Sequence, residues 1–135
     1  MRAVLDANVI ISGVLSPEGA PARLLVAWRE GAFELIVTPK LLAELDRAFA
    51  YPKLRSRVGT DEAQSLLDWL GRLASLVKDV DEAPVRSMDP ADDYLLTLAA
   101  ASDALLVSGD KHLLDLTDDF PILRPAHFLT VVESG

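Results

Sequence analysis

The feature that most constrains this chain is an alternation. Short apolar runs, each closed by an acidic or polar residue, are separated by stretches with helical spacing. Arg2-Ala3-Val4-Leu5 ends at Asp6, and Phe33-Glu34-Leu35-Ile36-Val37 ends at Thr38-Pro39, which predicts two short buried strands. Between them Pro21 suits a first helical position, and Leu24, Leu25 and Trp28 recur at helical spacing until Gly31 stops the run. Thr38 can cap a second helix with Pro39 at its first position and Leu41, Leu42, Leu45 and Phe49 on its apolar face, until Pro52 intervenes. Thr60-Asp61-Glu62 opens a third, striped by Leu66, Leu67, Leu70 and Leu73, and Leu76-Val77 predicts a third strand. An acid- and proline-rich loop over 79–92 precedes a helix opened by Asp92 or Asp93 and running to Ala101. Ala104 to Ser108 predicts a fourth strand, Gly109-Asp110 a turn into a short helix through Leu113 and Leu114, and Ile122-Leu123 a last strand. Strands apolar on both faces, alternating with helices, imply an α/β fold: a central parallel sheet of about five short strands flanked by helices on both faces. With 135 residues and no linker-like segment, the expectation is a single domain over 1–135.

Composition narrows the chemistry. No cysteine is present, which excludes disulfides, thiolate metal sites and cysteine nucleophiles and fits a reducing cytoplasm. The longest apolar stretch, Tyr94 to Ala101, is far shorter than the ~20 residues of a membrane span, and the three apolar residues after Arg2 are too few for a signal peptide. A cytoplasmic protein without a membrane partner is expected. The net charge is −8, from 13 basic and 21 acidic residues, with the excess acid in the second half. Such a chain does not attract polyanions through its overall field, so any nucleic-acid function needs a local device.

Ligands of open α/β sheets bind beyond the carboxyl ends of the strands. Asp6 and Asp110 both follow strand ends, Asp92 or Asp93 opens a helix, and Glu44 lies in the second turn of another. If these acids converge, their mutual repulsion calls for a cation. Without cysteine or a histidine pair at ligand spacing, oxygen ligation favours Mg²⁺ or Mn²⁺ over zinc. Metal-held acid clusters of this kind hydrolyse phosphodiesters. Each acid also has an ordinary reading: Asp6 and Asp110 as helix caps, Glu44 as a solvated helix residue, and one of Asp92 and Asp93 as a plain cap.

At these same residues the chain resembles a known family. Val4-Leu5-Asp6-Ala7-Asn8-Val9-Ile10-Ile11-Ser12 is similar to the opening motif of PIN-domain nucleases, and Glu44 resembles their second acid. Asp89-Pro90-Ala91-Asp92-Asp93 is similar to the segment carrying the third acid, and Val107-Ser108-Gly109-Asp110-Lys111-His112-Leu113-Leu114 to the fourth-acid motif. Pro121-Ile122-Leu123-Arg124-Pro125-Ala126-His127-Phe128-Leu129 resembles the closing strand and helix, and the subgroup most resembled is the VapC-like toxins.

The resemblance implies a metal-dependent endoribonuclease, the toxin of a prokaryotic toxin–antitoxin pair, with Asp6, Glu44, Asp93 and Asp110 binding Mg²⁺ or Mn²⁺ and acting on an RNA substrate. It implies that Asn8 orients Asp6, that Asp92 supports the site from behind, and that Ser108 bonds an acid or a coordinated water. A cognate antitoxin and self-association as a homodimer or higher oligomer are implied in the same way. Ala7 departs from the family, in which a hydroxyl residue often follows the first acid. For RNA phosphates, the basic cluster Lys53, Arg55 and Arg57, together with Lys111, offers contacts, against the alternative of a solvated charged surface. Two rivals remain. One is a PIN fold without catalysis, serving as a binding module; the other is a receiver-like Mg²⁺-binding signalling domain, which needs an adjacent acid pair where this chain has Asp6 alone.

Overall fold

In the computed structural model, residues 1–79, 90–115 and 121–134 are described, apart from the side chains of 90–92. Of the loop assigned to 79–92, residues 80–89 lie outside the described residues. The strands are β1 (Arg2–Leu5), β2 (Glu34–Val37), β3 (Ser75–Leu76), β4 (Leu105–Val107) and β5 (Ile122–Leu123). They form one parallel sheet in the order β3-β2-β1-β4-β5. The helices are α1 (Ala7–Leu15), α2 (Ala20–Arg29), α3 (Pro39–Ala50), α4 (Pro52–Arg55), α5 (Thr60–Leu73), α6 (Pro90–Ala101), α7 (Lys111–Leu114) and α8 (Pro125–Ser134).

Alternation along each strand explains the two-sided cover. Ala3 and Leu5 of β1, Leu35 and Val37 of β2 and Val107 of β4 enter one core with Leu24, Trp28, Leu45, Leu70 and Phe128. Val4, Ile36, Leu106 and Ile122 enter the other with Leu95, Leu96, Leu98 and Leu113. Successive strand residues point to opposite faces, so a sheet buried on both sides must be apolar at every position. The first core is closed by Phe33 and Phe128, edge to face at 5.1 Å. Gly13 lets α1 and α2 approach: a Cβ there would stand 2.7 Å from Leu25 Cδ1. Gly31, at φ 85°, takes the left-handed turn that ends α2.

The expected elements are present, with local differences. Helix α1 was not anticipated from spacing. Helix α5 begins at Thr60 as expected, after Gly59 at the cap position, while Leu73 at the end of the expected stripe is exposed. Strand β3 is Ser75–Leu76, one residue earlier than Leu76-Val77, and α6 begins at Pro90, ahead of Asp92. Among the described residues no single helix is long and apolar enough to cross a membrane.

Candidate functional site

The strand order reverses between β1 and β4. From β1 the chain builds outward through β2 and β3, then returns to add β4 on the other side of β1 and β5 beyond it. The loops after β1 and β4 therefore diverge and leave a crevice at their carboxyl ends, where open α/β sheets bind ligands. Leu5 pairs with Val107, and the Asp6 N–H donates to the Val107 carbonyl at 3.0 Å, so the two strands end level. Asp6 follows one strand and Ser108-Gly109-Asp110 the other.

Ser108 joins the two acids. Fully buried, it donates from Oγ to Asp6 Oδ2 at 2.9 Å and accepts from the Asp110 N–H at 3.0 Å. Each carboxylate also caps the helix it starts: Asp6 Oδ1 accepts from the Asn8 N–H at 3.2 Å, and Asp110 Oδ1 from the His112 N–H at 2.8 Å. Capping and a shared site are thus both present, since a cap occupies one oxygen lone pair of the several a carboxylate has. Asn8 meets Asp6 through its backbone; its exposed side chain faces the crevice.

The crevice has a volume of ≈ 290 Å³, and Asp6, Glu44 and Asp110 line it together. Glu44 arrives on α3, whose start is fixed by Thr38 Oγ1 accepting from the Leu41 N–H at 3.1 Å. Asp93, half-buried in the first turn of α6, is not among the lining residues, although the next two residues, Tyr94 and Leu95, are. The Asp92 side chain lies outside the described residues. Lys53, Arg55 and Arg57 are exposed on and just after α4, and Lys111 is exposed beside Asp110; none of the four lines the crevice.

Two residues that sequence reasoning did not single out belong to the crevice wall. Tyr94, buried, donates from its hydroxyl to Asp79 Oδ1 at 2.5 Å. Because a carboxylate only accepts and the tyrosine has one proton, Thr38 must donate to the Tyr94 oxygen in turn. Burial, aided by the Asp79 carboxylate, pushes the Tyr94 hydroxyl well above the usual tyrosine pKa, so it stays a donor at neutral pH. The Tyr94 hydroxyl in turn holds Asp79 below the usual carboxylate value. Lys40, one position after Pro39 on α3, donates its N–H to Asp79 at 3.3 Å and places its ammonium 4.2 Å from the centre of the Tyr94 ring. Only tertiary structure brings Thr38, Asp79 and Tyr94 together.

The lining offers hard oxygen donors and neither thiolate nor imidazole, which suits a hard divalent cation. Among the described residues, however, no three acidic or histidine side chains stand close enough to form a complete chelate. Asp6, Glu44 and Asp110 thus fit such an ion in the chemistry of their donors and share one crevice, without closing a chelate among themselves.

With this geometry in view, comparison with known proteins is decisive: a family model described as the PIN domain matches residues 2–112. The chain belongs to the PIN-domain family. PIN-domain proteins are nucleases, which places the chain among hydrolases acting on nucleic acid and removes the receiver-like reading. The uncharacterized protein MJ1680 of Methanocaldococcus jannaschii is 26% identical over 125 residues, covering 92% of this chain and 80% of that protein. Among solved structures, PAE2754 from Pyrobaculum aerophilum superposes with a TM-score of 0.72 at 15% identity, covering 100% of this chain and 91% of that one. VapBC2 from Rickettsia felis, solved bound to a DNA fragment from its promoter, gives 0.61 at 16% identity over 91% of this chain and 97% of that one. The PilT N-terminus domain protein SSO1118 from Sulfolobus solfataricus gives 0.55 at 16%, over 98% and 93%. At these identities the structural likeness speaks for the PIN fold alone.

Proposed function

We propose that this PIN-domain protein is a divalent-metal-dependent endoribonuclease and the toxin of a toxin–antitoxin pair. The observation that carries the catalytic reading is the pairing of Asp6 and Asp110 at the level ends of β1 and β4, joined by Ser108 and facing Glu44 across one crevice. Support for RNA as substrate comes from the VapC-like motifs, and for an antitoxin partner from those motifs together with the likeness to VapBC2. Self-association, as a homodimer or higher oligomer, is proposed on the resemblance to VapC-like toxins.

In this reading Asp6, Glu44 and Asp110, with Asp93 from α6, hold Mg²⁺ or Mn²⁺. Bound there, the ion supplies Lewis acidity toward phosphate oxygens and water. The protein's part is orientation. Ser108 fixes Asp6 Oδ2, the two capping bonds fix the other oxygens, and the N-cap at Thr38 sets where Glu44 enters. The third acid can be tested directly. Asp93→Asn should damage cleavage more than Asp92→Asn, and the reverse order would move the assignment to Asp92.

The deciding experiment incubates the purified chain with several RNAs in Mn²⁺ or in EDTA. Cleavage in Mn²⁺, absent in EDTA and reduced by several orders of magnitude in Asp6→Asn and Asp110→Asn, is expected. Absence of metal-dependent cleavage, with RNA binding retained, would make the chain a binding module.

A further inference from the structure

We propose that Lys40 binds a substrate phosphate at the crevice, supplying the positive charge that the acidic site otherwise lacks. The inference rests on the reading of the crevice as the site of phosphodiester cleavage. Among the described residues lining the crevice with Asp6, Glu44 and Asp110, Lys40 is the one basic side chain. It stands one helical turn before Glu44 on α3, so ammonium and carboxylate leave the same side of that helix.

Its seat on a fixed aromatic ring separates Lys40 from an ordinary surface lysine. Its ammonium is anchored over the Tyr94 ring at 4.2 Å, and that ring is buried and held at its hydroxyl by Thr38 and Asp79. A lysine normally loses much rotamer freedom when it grips a ligand; here the ring has already restricted it. Like most described cations, Lys40 has among the described residues no carboxylate within ion-pairing distance, so its charge is available to a ligand. Asp79 is near enough to feel its charge without closing that pair. The ring covers one side of the ammonium and leaves donors for a phosphate on the other. A polynucleotide entering a crevice lined by Asp6, Glu44 and Asp110 meets carboxylate repulsion, and a fixed cation on the wall offsets it at the phosphate, where it acts as a point charge.

The test compares wild type with Lys40→Met, which keeps the apolar stem on the ring, Lys40→Arg, which keeps the charge, and Arg72→Gln, an exposed residue of α5 remote from the crevice lining. Binding of a fluorescent single-stranded RNA is followed by anisotropy in EDTA across a KCl series. For single strands each phosphate contact adds about 0.7 to the slope of log affinity against log salt. Lys40→Met should lower that slope by about 0.7 and weaken binding roughly tenfold at low salt, with Lys40→Arg and Arg72→Gln near wild type. In Mn²⁺ its KM should rise while kcat changes little, the signature of lost uniform binding. A Lys40→Met protein with an unchanged salt slope overturns the proposal, including the case in which only its melting temperature falls, which would make Lys40 a structural support for Tyr94. Wild type that binds RNA without cleaving it in Mn²⁺ refutes the nuclease reading while the slope still decides for or against Lys40. Wild type that does not bind RNA refutes both.

Discussion

Ser108 offers the sharpest test of how the two strand ends cooperate. It is fully buried and makes two bonds through one oxygen, donating to the Asp6 carboxylate at 2.9 Å and accepting from the Asp110 N–H at 3.0 Å. Ser108→Ala removes both while leaving the strand intact. A hydrogen bond to a charged group contributes about 1.5–3 kcal/mol, and Asp6, half-exposed, can turn to water, so the low end of about 1.5 applies. The Asp110 N–H, left without its acceptor in a partly buried position, adds about 1 kcal/mol. The sum, about 2.5 kcal/mol, corresponds to a fall in Tm of roughly 10 °C for a domain of this size. Cleavage should fall about 10- to 100-fold, as is usual when the partner that orients a metal-binding carboxylate is lost. Ser108→Cys fills nearly the same volume with a weak donor and should lose most of the same stability, separating bond loss from cavity formation. The assay is thermal unfolding of the three proteins in EDTA, followed by cleavage in Mn²⁺. If Ser108→Ala melted within about 2 °C of wild type, the hydroxyl would not be coupling the acids and the argument from shared positioning would fail.

Other outcomes follow from the same geometry. Asp110→Asn keeps a side-chain acceptor for the His112 N–H and should melt near wild type while losing cleavage by several orders of magnitude, whereas Asp110→Ala should lose about 1 kcal/mol more of stability with the cap; melting and cleavage of both variants check this. The hydrogen bond from Tyr94 lowers the Asp79 pKa below 3.8, so its stabilisation is present above that value and is lost as pH falls through the lower folded-state value; urea midpoints from pH 6 down to 2 should drop less steeply in Asp79→Asn than in wild type. Replacing Lys53, Arg55 and Arg57 together with Gln should lower the salt slope of RNA binding by up to about 2, and an unchanged slope would leave them a solvated surface.

What the sequence revealed, and what it did not, divides along a physical line. The strands were legible because both faces of the sheet are buried: Val4 and Ile36 serve one core, and Leu5, Val37 and Val107 the other, leaving continuous apolar runs. Helix α3 was legible from Thr38-Pro39 and its stripe, which the capping bond to Leu41 matches. Helix α1 was hidden because Val9, Ile10 and Ile11 follow β1 with only Asn8 and Ser12 as a narrow polar side to mark a period of 3.6, and both the sheet and α2 take up that apolar surface. Strand-end position was enough to nominate Asp6 and Asp110, but their meeting depended on β1 lying beside β4, a fact of topology that no local pattern carries.

The same distinction explains the cation at the crevice. A search along the chain for basic residues finds the cluster Lys53, Arg55 and Arg57, because clustering is a property of sequence; in the fold those side chains stand on exposed surface and none lines the crevice. Lys40 has no basic neighbour in sequence, and what distinguishes it, the Tyr94 ring, lies 54 positions away. Net charge is misleading for a related reason. A total of −8 sums over the whole chain, whereas salt screens exposed charges beyond about 10 Å. A phosphate in the crevice meets the lining charges first: among the described residues, Asp6, Glu44, Asp110 and Lys40, with whatever cation the carboxylates hold. An acidic protein can on this basis act on a polyanion, provided that its few local positive charges are fixed in place, and the buried Tyr94 ring, held by Thr38 and Asp79, is the means by which this fold fixes one of them.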